Sequence, residues 1–209
     1  AIGIVNGVIE ILGSFEKVRK AIPGGRIVDL EGRIALPGLV DSHIHLNSLG
    51  SLAASLDLTK CNSIEELKLM VRRESENRGK GSWIIGRGWD QERLYEKRPP
   101  NRWDLDEASP SNPVLLVRVC GHVASVNSLA LRIAGVSRET PDPPGGIIER
   151  DSNGEPTGVL YENAIMLIKR VIPPPSTEQL ETMLSKAIEE GLKYGITLFG
   201  FPSATSSDM

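Results

Sequence analysis

The sequence predicts an α/β protein, and three observations carry that prediction. Short apolar, β-rich runs alternate with helix-periodic stretches through much of its 209 residues. One apolar run leaves a Pro37-Gly38 turn and delivers two histidines one residue apart, in Asp41-Ser42-His43-Ile44-His45. A loop-rich middle section, residues 83–164, interrupts the alternation with a short-strand pattern of its own. The length allows one large or two small domains with ample core.

Residues 1–5 and 8–12 are β-rich and joined by Asn6-Gly7, a pair that tolerates positive φ and favours a two-residue type I′ turn. Residues 14–22 predict a short helix closed by Pro23-Gly24-Gly25. Residues 26–30 and 33–36 predict two further strands about Glu31-Gly32, so that residues 1–36 form a small β region. The strand at 39–45 comes next. Side chains alternate along a strand, which puts Asp41, His43 and His45 on one face and Ser42 and Ile44 on the other. Two imidazoles then lie within reach of one divalent cation, and Asp41 either orients them or closes a turn. Buried imidazoles without partners are costly, which favours ligands over stranded core histidines.

Residues 47–55, small and Gly/Ser-containing, read as a loop or irregular helix. Ser63-Ile64-Glu65-Glu66 is a capping box, followed by Ile64, Leu67, Met70 and Val71 at helical spacing. Asn77-Arg78-Gly79 ends that helix. Residues 83–88 predict a strand leading into Trp89-Asp90-Gln91. Beyond it, 114–120 reads as a strand, 125–134 as a helix, and 147–150 with 157–160 as a hairpin around Asp151-Ser152-Asn153-Gly154. Residues 161–171 read as a helix stopped by Pro173-Pro174-Pro175. Ser176-Thr177-Glu178-Gln179 is a second capping signal. Leu180, Met183, Leu184, Ala187, Ile188 and Leu192 give the next helix an apolar face. Gly195 ends it, 196–201 reads as a buried strand, and a polar tail containing Asp208 comes last.

Several of these stretches resemble a known family. The His-x-His strand is similar to the first barrel strand of the amidohydrolase superfamily. Five further segments narrow the likeness to the amidohydrolase 3 (YtcJ-like) family: Pro100-Asn101-Arg102-Trp103-Asp104-Leu105-Asp106, Arg118-Val119-Cys120-Gly121-His122, Asn127-Ser128-Leu129-Ala130-Leu131, Gly145-Gly146-Ile147-Ile148-Glu149-Arg150-Asp151 and Gly158-Val159-Leu160-Tyr161-Glu162-Asn163-Ala164. The resemblance implies a partial TIM (β/α)8 barrel at 37–82 and 165–209, with 39–45 and 196–201 as its first two strands. Residues 1–36 would be part of a small β-sandwich, and 83–164 an α+β insertion capping the barrel mouth. A whole barrel of this type takes about 250 residues, so the chain reads as the first part of a longer enzyme.

The resemblance also implies an activity: hydrolysis of carbon–nitrogen bonds, amide but not peptide, by attack of water activated on one or two divalent ions. It makes His43 and His45 metal ligands, with zinc the first candidate; Asp41, on their face, either orients them from behind or closes a turn. Trp89, Asp90, His122, Asn127 and Glu162 are expected around a small-molecule substrate. Four of them have an alternative: a packed indole for Trp89, a solvated carboxylate for Asp90, a structural role or third ligand for His122, and a helix-dipole contact for Glu162. Arg118 pairs either with a substrate carboxylate or with a nearby acid. The general base and remaining ligands have no candidate here, since Asp208 lacks a barrel-strand context. Catalytic zinc usually keeps three protein ligands, so two imidazoles leave the site incomplete and the 209-residue chain itself is expected to be inactive. The alternative function is an inactive ligand-binding chain, or one completed by a complementary barrel fragment or a second copy, because two unaccompanied parallel strands have open edges.

Composition excludes other classes. A net charge of −3 and 4% aromatic residues offer neither a basic footprint nor stacking platforms for nucleic acid. No apolar run is long enough to span a bilayer, and the apolar opening lacks the basic flank of a signal peptide. Two cysteines, Cys61 and Cys120, read as free thiols in a reducing, cytoplasmic compartment, Cys120 buried at the end of its apolar run.

Overall fold

Asn6 and Gly7 take positive φ, 50° and 80°, and their turn joins β1 (Ile2–Val5) to β2 (Val8–Leu12) as an antiparallel hairpin. This is seen in a computed structural model, which describes residues 1–202; Asp208 lies outside the described residues. Ser14 accepts a hydrogen bond from the Lys17 amide and starts α1 (Phe15–Ala21), whose Val18 is buried. The two strands expected at 26–30 and 33–36 do not form. Their turn does: Glu31 and Gly32 have φ of 51° and 80°, and the Arg33 amide donates to Leu30 at 2.9 Å. The flanks stay unladdered, with Val28, Ile34 and Leu36 exposed, and a run of strand propensity becomes a strand only when its backbone groups find a partner. The chain divides into two compact units between Gly38 and Leu39.

The second unit starts with β3 (Leu39–Asp41) and α2 (Leu46–Ala54). It continues through β4 (Leu56–Asp57), α3 (Ile64–Asn77), β5 (Ile84–Trp89), α4 (Arg102–Ala108), β6 (Val114–Arg118) and β7 (Val123–Val126). Then come α5 (Ser128–Ile133), β8 (Gly146–Arg150), β9 (Pro156–Glu162), α6 (Ile165–Lys169), α7 (Thr177–Lys193) and β10 (Ile196–Phe199). The stretch expected to be loop or irregular helix is thus the regular helix α2. The helix expected from residue 161 begins only at Ile165, because β9 runs on to Glu162.

These elements make two sheets. A mixed sheet has the order β4-β5-β6-β7-β9-β8, parallel across β4, β5 and β6 and antiparallel from there on. Leu115 and Leu116 illustrate how it is sandwiched: neighbours on β6, they point to opposite faces. Leu116 packs with Ile64, Leu67 and Val71 of α3 and Leu105 of α4, and Leu115 with Ala130 and Leu131 of α5 and Ile165 and Ile168 of α6. The sheet takes in Leu56–Asp57 and draws α3 onto its core, both ahead of residue 83. Separately, β10 lies parallel to β3, Ile196 opposite Leu39 and Phe199 opposite Asp41. Helix α7 leads into β10 and crosses α2 at Gly50, where a Cβ would collide with the Met183 backbone.

The helix starts rest on local chemistry. Ser176 and Gln179 form the full reciprocal cap of α7. At α3 the reciprocity is displaced: Ser63 accepts from the Glu66 amide at 3.1 Å, but the Glu66 carboxylate takes the Asn62 amide at 2.8 Å, one residue earlier than a capping box requires. The Ser63 amide is bypassed because that carboxylate reaches past it. Replacing Ser63 by alanine is expected to cost about 1 kcal/mol of stability, read as a lowered urea midpoint at unchanged m-value.

Candidate metal centre and its polar neighbours

Parallel strand β3 stops at Asp41, three residues into the run expected to continue to residue 45. The chain then bends through Ser42–His45, so Asp41, His43 and His45 do not share a strand face. The cause is local. Asp41 Oδ1 accepts a hydrogen bond from the His43 amide at 3.0 Å, a side-chain turn that competes with the ladder. Asp41 therefore takes the turn-closing role and fixes the backbone that carries His43.

The far end of the chain pins the other side of the bend. The Gly200 amide donates to the Asp41 carbonyl at 2.6 Å, and the Ile44 amide donates to the Gly200 carbonyl at 2.9 Å. A Cβ at residue 200 would run into the Ser42 carbonyl, so only glycine lets the end of β10 approach this closely. Nothing local to the histidines signals Gly200; the sign is a glycine placed directly after an apolar strand.

The bend still brings the imidazoles together. Their ring centroids lie 5.3 Å apart with the planes at 74°, and both residues are exposed beyond the C-terminal ends of two parallel strands. His45 precedes α2 as its capping residue, but its side chain makes no cap hydrogen bond. Two adjacent, accessible nitrogen-donor rings are the donor type a borderline divalent cation takes. Among the described residues no group of three or more His, Cys, Asp or Glu side chains is placed to hold a metal ion. The pair fits a metal as part of a donor set.

The model of the amidohydrolase family matches residues 26–209. The chain belongs to the amidohydrolase family. It is 38% identical to YtcJ of Bacillus subtilis over 199 residues, which is 94% of this chain and 38% of YtcJ. It is 34% identical to the N-substituted formamide deformylase of Arthrobacter pascens over 171 residues, 80% of this chain and 32% of the deformylase. The fold matches the crystal structure of an uncharacterised metal-dependent hydrolase from Pyrococcus furiosus with a TM-score of 0.73 at 30% identity, covering 98% of this chain and 40% of that one. The chain thus spans less than half the length of these relatives. As an amidohydrolase its fold is mixed α/β. Among the described residues no helix is long and apolar enough to cross a membrane.

The other amidohydrolase site candidates separate into two groups. Trp89 and Asn127, expected near substrate, are fully buried. Trp89 packs with Leu58, Ile84 and Leu116, and its Nε1 donates to the Leu116 carbonyl at 2.9 Å. Asn127 caps α5 by accepting from Ala130, accepts from Val114, and donates to the carbonyls of Ser109 and Asn112. Neither side chain is exposed, and the polar atoms of each are held by hydrogen bonds within the chain. The sequence hid this because the partners that satisfy these polar atoms come from other elements.

Asp90, His122 and Glu162 stay accessible. Asp90 Oδ1 receives Arg118 Nη2 at 2.7 Å, while Arg118 Nε donates to Gln91 at 2.6 Å, so the arginine pairs with an acid of its own chain. His122 and Glu162 meet directly, Nδ1 to Oε2 at 2.8 Å, with the side chains 66% and 57% exposed. The Glu162 amide also donates to the His122 carbonyl at 2.9 Å, and Glu162 holds a left-handed φ of 50°, uncommon outside glycine. Cys120, expected to be buried, is exposed, because Gly121 at φ 83° turns the chain between β6 and β7. Partial burial pushes its thiol up, but hydrogen bonds from the His122 amide and from Arg118 outweigh that and hold it below the usual thiol range.

The hydrogen bond and negative charge of Glu162 raise the His122 pKa above its ordinary value. The protonated histidine's contribution is therefore fully present below the ordinary histidine value and is lost as pH rises through the raised value. Replacing Glu162 by glutamine is expected to move the His122 midpoint down towards that of a free histidine. An NMR pH titration of the imidazole protons measures it, and an unmoved midpoint would show that Glu162 does not hold the proton.

Proposed function

We propose that the protein carrying this chain is a metal-dependent hydrolase of carbon–nitrogen bonds in small non-peptide amides, N-substituted formamides among them. The observation that carries the reading is the juxtaposition of His43 and His45 at the C-terminal end of β3 and β10, in a chain whose residues 26–209 match the amidohydrolase family. In (β/α)8 enzymes the chemistry sits at that end of the strands. His43 and His45 hold the cation, zinc in the first instance, and Asp41, Ile44 and Gly200 hold the two histidines. A cation there would lower the pKa of a water towards neutrality and polarise the scissile carbonyl. Asp90, His122 and Glu162 are the accessible polar groups left to face substrate.

The same reading divides the chain into an N-terminal part of a β-sandwich (1–36), barrel segments (37–82 and 165–209) and an insertion over the barrel mouth (83–164). Strands β3 and β10 are neighbouring strands of a TIM barrel. Leu39, Val40 and Leu198, exposed at 57%, 62% and 58%, support further barrel segments or a second copy covering this pair. The reading also carries a cytoplasmic location. The test is release of amine from a panel of N-alkyl and N-aryl formamides and amides. Hydrolysis that a chelator abolishes and zinc restores is expected; hydrolysis untouched by metal removal would overturn the proposal.

A further inference from the structure

A cleft of about 500 Å³ opens between the start of α4, helix α5 and the end of the β8–β9 connection. None of these elements carries His43 or His45, so a ligand in this cleft stands or falls independently of the metal reading. Arg102 and Arg132 both line the cleft, and neither forms an ion pair among the described residues. Arg102 Nε is buried with no hydrogen-bond partner there. That atom is sealed from the cleft, so what Arg102 offers a ligand there is the rest of its side chain. The Arg102 guanidinium also lies over the Trp103 ring, 4.8 Å from its centroid, and Trp103 is 47% exposed.

The walls define the ligand further. Buried Leu131, Val136 and Pro156 and the face of Trp103 are apolar. Ser128 is already committed, its hydroxyl on Asp106 at 2.6 Å. Glu155 is the one acid lining the cleft, against two guanidiniums. A guanidinium is a planar fork that matches a carboxylate bidentately and stacks on aromatic rings. We propose that this cleft binds a small organic carboxylate, with the carboxylate on Arg102 and Arg132 and the apolar body against Trp103 and Leu131. Glu155 opposes the ligand's charge and sets an upper limit on affinity.

The probe is benzoate, with benzamide as its neutral isostere, titrated into the 209-residue chain by calorimetry and followed by Trp fluorescence. Saturable 1:1 binding of benzoate is expected, with benzamide at least roughly tenfold weaker. Arg102→Lys keeps the charge but loses the fork, and is expected to weaken benzoate about tenfold. Arg132→Gln changes an exposed side chain, leaves the thermal melt in place, and is expected to weaken benzoate similarly. Glu155→Gln should tighten it. Equal binding of benzoate and benzamide overturns the proposal. So do unchanged affinity in Arg132→Gln, and absence of binding at millimolar benzoate.

Discussion

Replacing His43 and His45 together by alanine in the protein carrying this chain is expected to abolish divalent-cation binding and to lower the proposed amide hydrolysis by at least a hundredfold, about the most that loss of a group merely supporting a ligand costs. The fold should survive. Both side chains are exposed, so the metal-free protein should still fold and melt cooperatively. Asp41 supplies the contrast. Asp41→Asn keeps an oxygen for the His43 amide and should retain metal, whereas Asp41→Ala frees the bend and should weaken metal binding without removing a donor. Calorimetric titration of zinc and amine release measure both effects. A double histidine variant with intact activity would remove the pair from the chemistry.

Asn127→Ala should be the most destabilising of the substitutions considered, by about 3–4 kcal/mol. The side chain is fully buried and makes four hydrogen bonds to the main chain of three segments: the start of β6, the first turn of α5, and the carbonyls of Ser109 and Asn112. Alanine leaves the Val114 and Ala130 amides and the Ser109 carbonyl to find other partners in a dry site, while the Asn112 carbonyl keeps the Ser109 hydroxyl. Urea denaturation should show the loss as a lower midpoint. A variant that melts like the parent yet loses substrate affinity would show a pocket role instead.

What could be read from the sequence was local. Ser63 and Ser176 announce their helices because a cap depends on residues three positions apart. Asn6-Gly7 announces its hairpin for the same reason. The His-x-His pair was legible as two donors one residue apart, but not its geometry. That depends on the Asp41 carboxylate turning the chain and on Gly200, brought alongside by β10. Nothing in the sequence shows that the polar atoms of Trp89 and Asn127 meet Leu116, Val114 and Ser109, which come from other elements. The reverse holds at Cys120, where one left-handed glycine turns an apolar run out to solvent. The strands expected after Arg26 show the remaining gap: propensity lies in the chain, and pairing lies in whatever stands beside it.

A cation shared by His43 and His45 is the centre of the proposed chemistry. The chain has three histidines, which makes the direct measurement simple: titrate Co²⁺ into the metal-free protein and follow the imidazole NMR signals. Paired paramagnetic shifts of His43 and His45 at one equivalent, with His122 retaining its Glu162-bound signal, are the predicted result. Equal broadening of all three, or an effect on His122 alone, would contradict it.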